Sequence, residues 1–570
     1  MVLSFRKAYL AALNEVKAGD TGANIASDSM AAASESNSHF VVRRAAVSPE
    51  IRNQRSNSPA NTVVVRHVTT STGSPRTISR RQPSTPSVAV TPTTRIFCTD
   101  RAVLAWRPEE ASRLVPMAYD QDLGSRLAPP GAQPVETREL IIGLDFGTSC
   151  AKVVITDREM QHAYAVPMVN ATGVNAYLLP ARLNEVDGVY TLADKGVAHT
   201  DLKLALMASP TDDVLCARVC AYLALVIRSA RAWLFSRHKS QYLRADILWS
   251  LALGQPADQA TSSESKELFE SIAKVAWILA GQSGPAGVQK SLDLWRTRQE
   301  SSVDDELEVL VMPELAAQIH GFVSSSNFDK RSSNIFLMVD VGAGTVDAST
   351  FHVKKDASGT TSFGFFTSSV EAYGAANMHR NRVAWWQPKL FAHENGRSLA
   401  EELESIRLPT EYRGRFPDFY TGYFKGVSAT LLGGALTPDD EFFNKVRNQV
   451  VGQVLVKAWK NDLLSKQAIE GIPLFLCGGG SRHVFYRQLL ESLKRTQGAS
   501  WLKAEYRELT LPAGLIAPGL NRSDYDRLSV AYGLSQLTPG KIVQAEAMTP
   551  VVKVDRMSDW SENYVDKSIC

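Results

Sequence analysis

Three glycine-rich turns, each placed directly after an apolar stretch of strand length, constrain this chain more than any other feature of its sequence. The turns are Asp145-Phe146-Gly147-Thr148-Ser149, Asp340-Val341-Gly342-Ala343-Gly344-Thr345 and Cys477-Gly478-Gly479-Gly480-Ser481-Arg482. The apolar runs before them, LIIGL, IFLMV and PLFL, have the length of buried strands, and glycine permits the tight turn that follows. Because stretches with helical spacing lie between these strands, the sequence predicts an α/β fold. The recurrence of strand and turn in both halves of the chain is typical of a duplicated unit.

The first two turns share a chemical pattern that suits phosphate. In each, a carboxylate ends the strand (Asp145 or Asp340), and a glycine and hydroxyl groups follow. If the two turns faced each other, their backbone amides and hydroxyls would cradle phosphates, while the two carboxylates would hold a hydrated magnesium ion. The third turn has no carboxylate, and a flat ring such as adenine could lie against its bare backbone. The P-loop pattern G-x-x-x-x-G-K-[ST] is absent, so any phosphate is bound by a different device.

The order and spacing of the turns make the signal specific. A single aspartate-glycine turn after a strand occurs by chance in many α/β enzymes. Here Asp145 and Asp340 lie 195 positions apart, and Gly478 follows Asp340 by 138 positions. We therefore interpret the three turns as parts of one nucleotide site.

These motifs resemble those of a known superfamily. LIIGLDFGTSCAKVVIT resembles the first phosphate motif of the actin-like ATPases, MVDVGAGTVDAST their second, and LFLCGGGSRHVFYRQLL their adenosine motif. MPELAA and SVAYG are similar to the connecting helices of the branch that contains the 70-kDa heat-shock chaperones (DnaK-like). The resemblance implies a two-lobed actin-like ATPase fold built from a duplicated ribonuclease-H-like unit. Lobe I would cover 139–330 and lobe II 331–537, and we expect 139–537 to fold on its own.

The resemblance also implies roles for individual residues, with ATP or ADP and Mg²⁺ as cofactors. Asp145 and Asp340 would hold the magnesium ion through water, Lys203 would steady the γ-phosphate, and Glu314 would help to place the attacking water. The expected catalytic residues are thus Asp145, Lys203, Glu314, Asp340 and Thr345. The expected nucleotide-binding residues are Gly147, Thr148, Ser149, Gly342, Ala343, Gly344, Gly478, Gly479, Gly480 and Arg482.

The sequence departs from the family pattern at three of these positions or their neighbours. Ala343 replaces a usual glycine, Leu315 a usual proline, and Gly480 a usual serine that contacts the base. The extra methyl group of Ala343 is harmless only if its backbone does not need a positive φ.

The sequence outside 139–537 predicts less order. Residues 1–20 have loosely helical spacing and predict a short helix, and 95–138 predicts a partly ordered linker. Residues 21–94 are rich in Ser, Thr, Pro and Arg and have too little apolar surface to fold, so we expect a disordered arm. Its arginines suit a solubilising role or a weak anionic partner. Only 33 residues, 538–570, follow as a C-terminal tail, so the peptide-clamp domain of the chaperones is not expected.

Composition excludes several other classes of protein. A net charge of +3 with 21% charged residues does not suit a protein that coats nucleic acid. The six cysteines form no C-x-x-C pair, which favours a reducing, cytoplasmic compartment over a disulfide framework or a zinc site. The apolar run from Val219 to Ile227 is much shorter than the roughly 20 residues that span a bilayer, so we expect no transmembrane segment.

The sequence therefore predicts a chaperone-like nucleotide switch. It would bind Mg-ATP, hydrolyse it slowly as an ATPase, and signal the closure of its lobes to a protein client or a co-chaperone-like partner. Three alternatives remain open: a filament-forming actin relative, a small-molecule kinase, and a pseudo-ATPase that binds nucleotide without turnover. Sedimentation with and without ATP would separate the filament from the switch.

Overall fold

Strands and helices alternate along the described part of the chain, as the sequence predicts for a mixed α/β protein. The computed structural model describes residues 93–108, 114–256, 263–299, 308–323, 328, 334–355, 361–406, 414–494, 499–536 and 541–544. The expected helix at 1–20, the arm up to residue 92 and most of the tail lie outside these residues. The strands are β1 (Thr93–Leu104), β2 (Glu136–Phe146), β3 (Cys150–Asp157), β4 (His162–Ala165), β5 (Leu179–Pro180), β6 (Leu183–Val186), β7 (Val189–Thr191), β8 (Val197–His199), β9 (Ala245–Gln255), β10 (Ala286–Gly287), β11 (Glu308–Pro313), β12 (Ile335–Val341), β13 (Val346–Lys355), β14 (Thr361–Glu371), β15 (Phe424–Leu432), β16 (Ile472–Cys477), β17 (Ala504–Arg507), β18 (Leu515–Ile516) and β19 (Lys541–Gln544).

The helices lie between and on the faces of these strands. They are α1 (Gln121–Ser125), α2 (Leu202–Ala208), α3 (Asp213–Arg237), α4 (Lys239–Tyr242), α5 (Ser263–Gly281), α6 (Val288–Arg296), α7 (Glu314–Val323), α8 (Ala375–Phe391), α9 (Arg397–Ser405), α10 (Pro438–Arg447), α11 (Lys457–Lys460), α12 (Lys466–Ile469), α13 (Val484–Lys494) and α14 (Ser529–Gln536). A π-helical stretch, Asn448–Val456, joins α10 to α11.

Two large sheets repeat one strand order. The first runs β11-β9-β2-β3-β4-β18 and the second β17-β16-β12-β13-β14-β19. In each sheet the strand that comes first in the sequence, β2 or β12, forms an antiparallel hairpin with the next strand, β3 or β13. The same strand also pairs in parallel with the strand that returns after a long crossover, β9 or β16. The structure therefore contains the same topological unit twice.

Two short helices cross between the sheets. α7 directly follows β11 of the first sheet, yet its Leu315 and Ile319 pack among buried aromatic side chains of the second sheet. α14 comes after all strands of the second sheet except β19, yet its Ala531 packs against the first sheet. The two helices therefore pack across the boundary expected at residue 330.

The longest helix, α3, is the buried helix that its apolar run predicts. Its Arg228 is buried and donates hydrogen bonds to the carbonyl oxygens of Leu279, Ala280 and Gly284 at and just beyond the end of α5. Such carbonyls lack partners within their own helix, so the guanidinium satisfies them. Throughout the described ranges, none of the helices combines the length and apolar character needed to cross a membrane.

Within 95–138, which the sequence predicts to be a partly ordered linker, the structure describes most of β1 and the helix α1. β1 begins at Thr93 and pairs antiparallel with β15, so that Thr93 faces Leu432 and Leu104 faces Phe424, with a register shift between Cys98 and Val103. β15 belongs to the segment between β14 and β16, which we term the insertion. Cys98 and Leu104 are buried in a cluster with Trp386 of α8. The strand forms because its alternate apolar side chains have this cluster to pack against.

Candidate functional site

The three glycine turns meet at one cavity of about 560 Å³. This volume lies in the usual range for small-molecule sites, roughly 300–1,000 Å³. All the predicted site residues except Gly344 line the cavity: Asp145, Gly147, Thr148, Ser149, Lys203, Glu314, Asp340, Gly342, Ala343, Thr345, Gly478, Gly479, Gly480 and Arg482. Residues more than 300 positions apart in the sequence thus share one site.

The first two turns have matching backbone geometry. The Gly147 amide donates a hydrogen bond to the carbonyl oxygen of Cys150 at 3.1 Å. The Gly342 amide donates to the carbonyl oxygen of Thr345 at 2.9 Å. Each glycine lies two positions after its strand-ending aspartate, and each acceptor lies three positions further on. A Cβ on Gly147 would lie 2.8 Å from the Cys150 carbonyl oxygen, so this turn requires glycine.

Gly344 contacts the other turn rather than the cavity. Its amide donates a hydrogen bond to Thr148 Oγ1 at 3.2 Å, which links the two turns directly. A Cβ on Gly344 would lie 3.0 Å from the side chain of Leu204 on α2. Gly344 thus packs between the first turn and α2, and its part in nucleotide binding stays a prediction. Ala343 does not have a positive φ, so its methyl group is tolerated.

A lysine that the sequence reasoning missed neutralises the first aspartate. Lys152 lies directly opposite Asp145 in the β2–β3 hairpin, and its Nζ lies 2.6 Å from Asp145 Oδ2. Burial has the largest single effect on the pKa of Lys152 and lowers it, but the charges of Asp145 and Cys150 and the hydrogen bond to Asp145 together raise the pKa to about 12. Asp347 has the equivalent position opposite Asp340 in the second hairpin. In each hairpin the residue that faces the aspartate lies seven positions after it in the sequence. This spacing was the signal that could have identified both residues.

Lys203 and Glu314 form a second buried ion pair. Glu314 is the first residue of α7, and Lys203 Nζ lies 2.5 Å from its Oε1. Lys203 is only 4% exposed, so it is not an ordinary surface lysine. Burial raises the pKa of Glu314, and the positive charge of Lys203 opposes that shift. Asp201, which caps α2 ahead of Lys203, has a φ of +55°, a conformation that aspartate adopts more readily than most residues.

Asp340 accepts a hydrogen bond from an amide side chain, and its pKa is raised. Its Oδ2 accepts a hydrogen bond from Gln318 Nε2 of α7 at 2.9 Å. Burial raises the pKa of Asp340 to about 6; the charges of Asp145 and Glu314 also raise it, against the effects of Lys152 and Gln318. Burial is thus the main cause of the raised pKa of Asp340, and repulsion by the other two carboxylates adds to it.

The third glycine turn packs closely against Asp340. Gly478 has a φ of +83°, and a Cβ there would lie 2.1 Å from Asp340 Oδ1, so only glycine fits. A Cβ on Gly479 would lie 2.7 Å from the guanidinium of Arg527, which also lines the cavity. The sequence reasoning missed Arg527 because no motif surrounds it.

The two remaining residues of the adenosine-like motif are also held in place. Arg482 donates hydrogen bonds to Asp526 at 2.6 Å and to Asp524 at 3.1 Å, which fix its guanidinium plane at the cavity wall. A Cβ on Gly480 would lie 2.5 Å from the side chain of Val341. The departure from serine at this position thus follows from close packing of the turn on β12.

A fourth element completes the cavity and has no counterpart among the predicted residues. Gly414, Arg415 and Phe416 of the insertion line it. The Phe416 ring stacks on the buried ring of His379, with centroids 4.7 Å apart and planes 14° apart. Together with Pro417, we term this stretch the wall segment.

The carboxylates fit a divalent cation held at a distance. Among the described residues, no group of three or more His, Cys, Asp and Glu side chains is arranged to bind a metal ion. A positive charge between Asp145 and Asp340 would nevertheless relieve the repulsion that raises the pKa of Asp340. Hard oxygen ligands are those that Mg²⁺ prefers, and it commonly keeps several of its waters.

Comparison with known proteins adds no family assignment. A scan against protein-family models finds no match, and a search of curated proteins finds no significant relative. The function is therefore argued from the geometry of the cavity.

Proposed function

We propose that this chain is an actin-like ATPase, similar to the 70-kDa heat-shock chaperone branch, that binds Mg-ATP between two lobes and hydrolyses it slowly. The observation that carries the proposal is the pair of matched turns, Asp145–Cys150 and Asp340–Thr345, at one cavity. They come from two sheets of the same strand order, as a duplicated ribonuclease-H-like unit would supply. Two facing turns that offer backbone amides and hydroxyls suit a ligand with several phosphates.

In this proposal the chain's own residues position the phosphates and a water molecule. The hydroxyls of Ser149 and Thr345 line the cavity on opposite turns and would donate to phosphate oxygens. Lys203 would supply positive charge that strengthens as the transferred group becomes more negative. Glu314, whose pKa is raised by burial, would orient the attacking water and accept its proton.

The cation has a defined place in the proposal. Asp145 and Asp340 would hold Mg²⁺ through water molecules, and when bound it would neutralise phosphate charge during transfer. Lys152 keeps Asp145 neutralised in the absence of ligand. Arg482 and Gly479 of the third turn, which both line the cavity, would flank the base.

One observation favours an alternative, a pseudo-ATPase that binds nucleotide without turnover. Asp145 already has a cation within 2.6 Å, and that lysine would have to yield for Asp145 to serve a hydrated metal ion. Tight binding of ATP without release of phosphate would identify this alternative.

Calorimetric titration of the full chain with Mg-ATP, followed by single-turnover hydrolysis, tests the proposal. Asp145→Asn and Asp340→Asn should each slow hydrolysis by on the order of 100-fold or more. Asp157→Asn is the control, because Asp157 is a buried aspartate of β3 that does not line the cavity. Failure of the wild type to bind any nucleotide would reject the proposal.

Lys203→Ala separates binding from turnover at the same site. We expect it to bind Mg-ATP within about tenfold of the wild type, a change of roughly 1.4 kcal/mol, and to lose hydrolysis far more severely. Equal, mild losses in both quantities would mean that Lys203 has no special part in the reaction.

We also propose that closure of the lobes is read by a protein partner in the cytoplasm. The five cysteines in the described residues are buried free thiols, which suits a reducing compartment. Affinity purification of Asp340→Ala and wild type, each in ATP and in ADP, would identify a partner that prefers one state. A partner captured equally in all four samples would argue against a switch.

A further inference from the structure

The residues that follow strand β1 contact the wall segment, the fourth element that lines the cavity. The last residues after the strand, Ala105 and Trp106, both donate backbone hydrogen bonds to the carbonyl oxygen of Tyr423 in the insertion, at 2.8 and 3.2 Å. The indole Nε1 of Trp106 then donates to the carbonyl oxygen of Arg415, within the wall segment, at 3.1 Å. A residue outside the range expected to form the ATPase domain thus holds a residue that lines the cavity.

Ring contacts accompany this hydrogen bond. The centroid of the Trp106 ring lies 5.4 Å from that of His379 and 6.1 Å from that of Phe416. His379 is fixed in turn, because its Nδ1 and Nε2 lie within 2.6 Å of Tyr423 Oη and 2.8 Å of the Ile406 carbonyl oxygen. Trp106 therefore packs on the same aromatic stack that supports Phe416 at the cavity.

The other anchors of the wall segment come from within the second half of the chain. Arg382 Nη1 donates to the Pro417 carbonyl oxygen at 2.6 Å, and His483 Nε2 lies 3.1 Å from the same oxygen. The His483 Nδ1 accepts from the Phe485 amide at 3.1 Å, so Nε2 carries the proton and donates to Pro417. These bonds hold the end of the wall segment at Pro417, whereas Trp106 holds its middle, at Arg415.

We propose that Trp106 is a positioning residue that fixes the wall segment against the nucleotide cavity and thereby slows the release of nucleotide. The inference rests on the proposed function, since it assigns a nucleotide to the cavity. It gives the N-terminal strand a part in nucleotide exchange, because the wall segment loses its central anchor when Trp106 is removed. Trp106 itself does not line the cavity, so it acts only through Arg415 and Phe416.

The experiment compares Trp106→Phe with Trp385→Phe in the full chain. Trp106→Phe keeps an aromatic ring but removes the Nε1–H donor. Trp385 packs in the same apolar cluster, edge to face on Trp386 and Tyr420, and does not line the cavity, so its variant controls for general loss of packing. Two quantities are measured: hydrogen exchange of the peptide that covers residues 414–419, without ligand, and the dissociation rate of a fluorescent ATP analogue.

We expect Trp106→Phe to speed both exchange and dissociation by about fivefold, the factor that corresponds to one lost neutral hydrogen bond. Trp385→Phe should leave both close to wild type even if it lowers the melting temperature as much. Equal effects of the two variants, or no effect of Trp106→Phe, would overturn the inference. If the wild type binds no nucleotide, the proposed function and the effect on release are both wrong, while the exchange measurement still decides whether Trp106 holds the wall segment. Should Trp106→Phe fail to fold, Trp106→Tyr keeps more of the ring volume and serves as the second variant.

Discussion

At the scale of single residues, Asp340 shows how a buried carboxylate at the candidate site can lower the stability of the ligand-free protein. Its pKa is raised to about 6, chiefly by burial, whereas an unfolded aspartate titrates near 3.9. The folded state therefore binds a proton more tightly than the unfolded state. The resulting stabilisation is fully present below about pH 4 and is lost as the pH rises through 6.

This shift predicts that Asp340→Asn stabilises the ligand-free protein at neutral pH. Asparagine cannot ionise, so the variant avoids a cost of about 3 kcal/mol that the buried carboxylate incurs above pH 6. Melting temperatures measured between pH 4.5 and 7.5 should show the variant higher than wild type at pH 7.5, with the gap closing toward pH 4.5. Asp157→Asn provides the comparison, because Asp157 accepts a hydrogen bond from Tyr242 and should only lose stability. A gap that does not change with pH would contradict the prediction.

The Asp145–Lys152 pair predicts the opposite sign for a nearby substitution. Both side chains are mostly buried, at 6% and 12% exposure, so Lys152→Met leaves an uncompensated charge inside the protein. Loss of one partner of a buried pair typically costs about 3–5 kcal/mol, whereas loss of an exposed pair costs about 0–1 kcal/mol. Lys494→Met, which breaks the exposed pair with Glu491, is the matched control.

A double-mutant cycle decides whether the charge is responsible. Asp145→Asn combined with Lys152→Met removes both charges, so the double variant should be more stable than Lys152→Met alone. If the two losses simply added, the lysine would be stabilising the fold by packing and not by neutralising Asp145.

At the scale of elements, the close crossing of α7 and α14 connects the two sheets to the cavity. A Cβ on Gly533 of α14 would lie 1.8 Å from the carbonyl oxygen of Ala317 on α7. The next residue of α7, Gln318, donates to Asp340, and Val530 of α14 lines the cavity. Separating the helices would therefore disturb the site as well as the core.

Gly533→Ala should therefore lower the free energy of unfolding by about 1–3 kcal/mol, the usual cost of overpacking. It should also lower the melting temperature and weaken nucleotide binding. Gly281→Ala is the control: it also replaces a helical glycine, but nothing lies within 4 Å of the added carbon. That variant should be neutral or slightly stabilising. Similar destabilisation by both substitutions would show that the close approach is not the cause.

Local sequence patterns predicted individual elements better than their pairings. β12, expected at Ile335 to Val341, has those limits, because its apolar run is bounded by the turn. The region from Phe442 to Lys466 reads as one long amphipathic helix, yet the structure has α10, a π-helical stretch and α11, which ends at Lys460. The pairing of β1 with β15 had no local signal, since the partners lie some 330 positions apart and the alternation of β1 is the same whatever strand it joins.

In the candidate site, too, local motifs were predictable and long-range contacts were not. The residue types in the three turns indicate their chemistry from the sequence alone, and the structure gathers the turns at one cavity. Arg415, Phe416 and Arg527 carry no motif, and only the fold brings them to that cavity. Lys152 was predictable in principle, because hairpin pairing fixes its position opposite Asp145 once the turn is recognised.

At the scale of the whole molecule, the structure indicates that the independently folding part of the chain begins before residue 139. The sequence suggested that 139–537 folds alone, but β1 contributes Cys98 and Leu104 to the cluster around Trp386, and Trp106 anchors the wall segment. A chain that starts at residue 139 would leave this apolar cluster exposed and the antiparallel partner of β15 missing. Unpaired edges and exposed apolar surface of this kind promote aggregation.

Two truncations test where the unit begins. A chain that starts at residue 93 keeps β1 and Trp106, so it should melt cooperatively and bind Mg-ATP within about threefold of the full chain, a difference of less than 1 kcal/mol. A chain that starts at residue 139 should express poorly or melt at a clearly lower temperature, and any folded fraction should release nucleotide faster because Arg415 has lost its hydrogen bond to Trp106. Adding residues 93–108 in trans as a peptide should restore part of that loss, since β1 pairs along its length with β15. Equal stability and equal nucleotide release for the two truncated chains would mean that β1 is dispensable and that the boundary suggested by the motifs alone is the correct one.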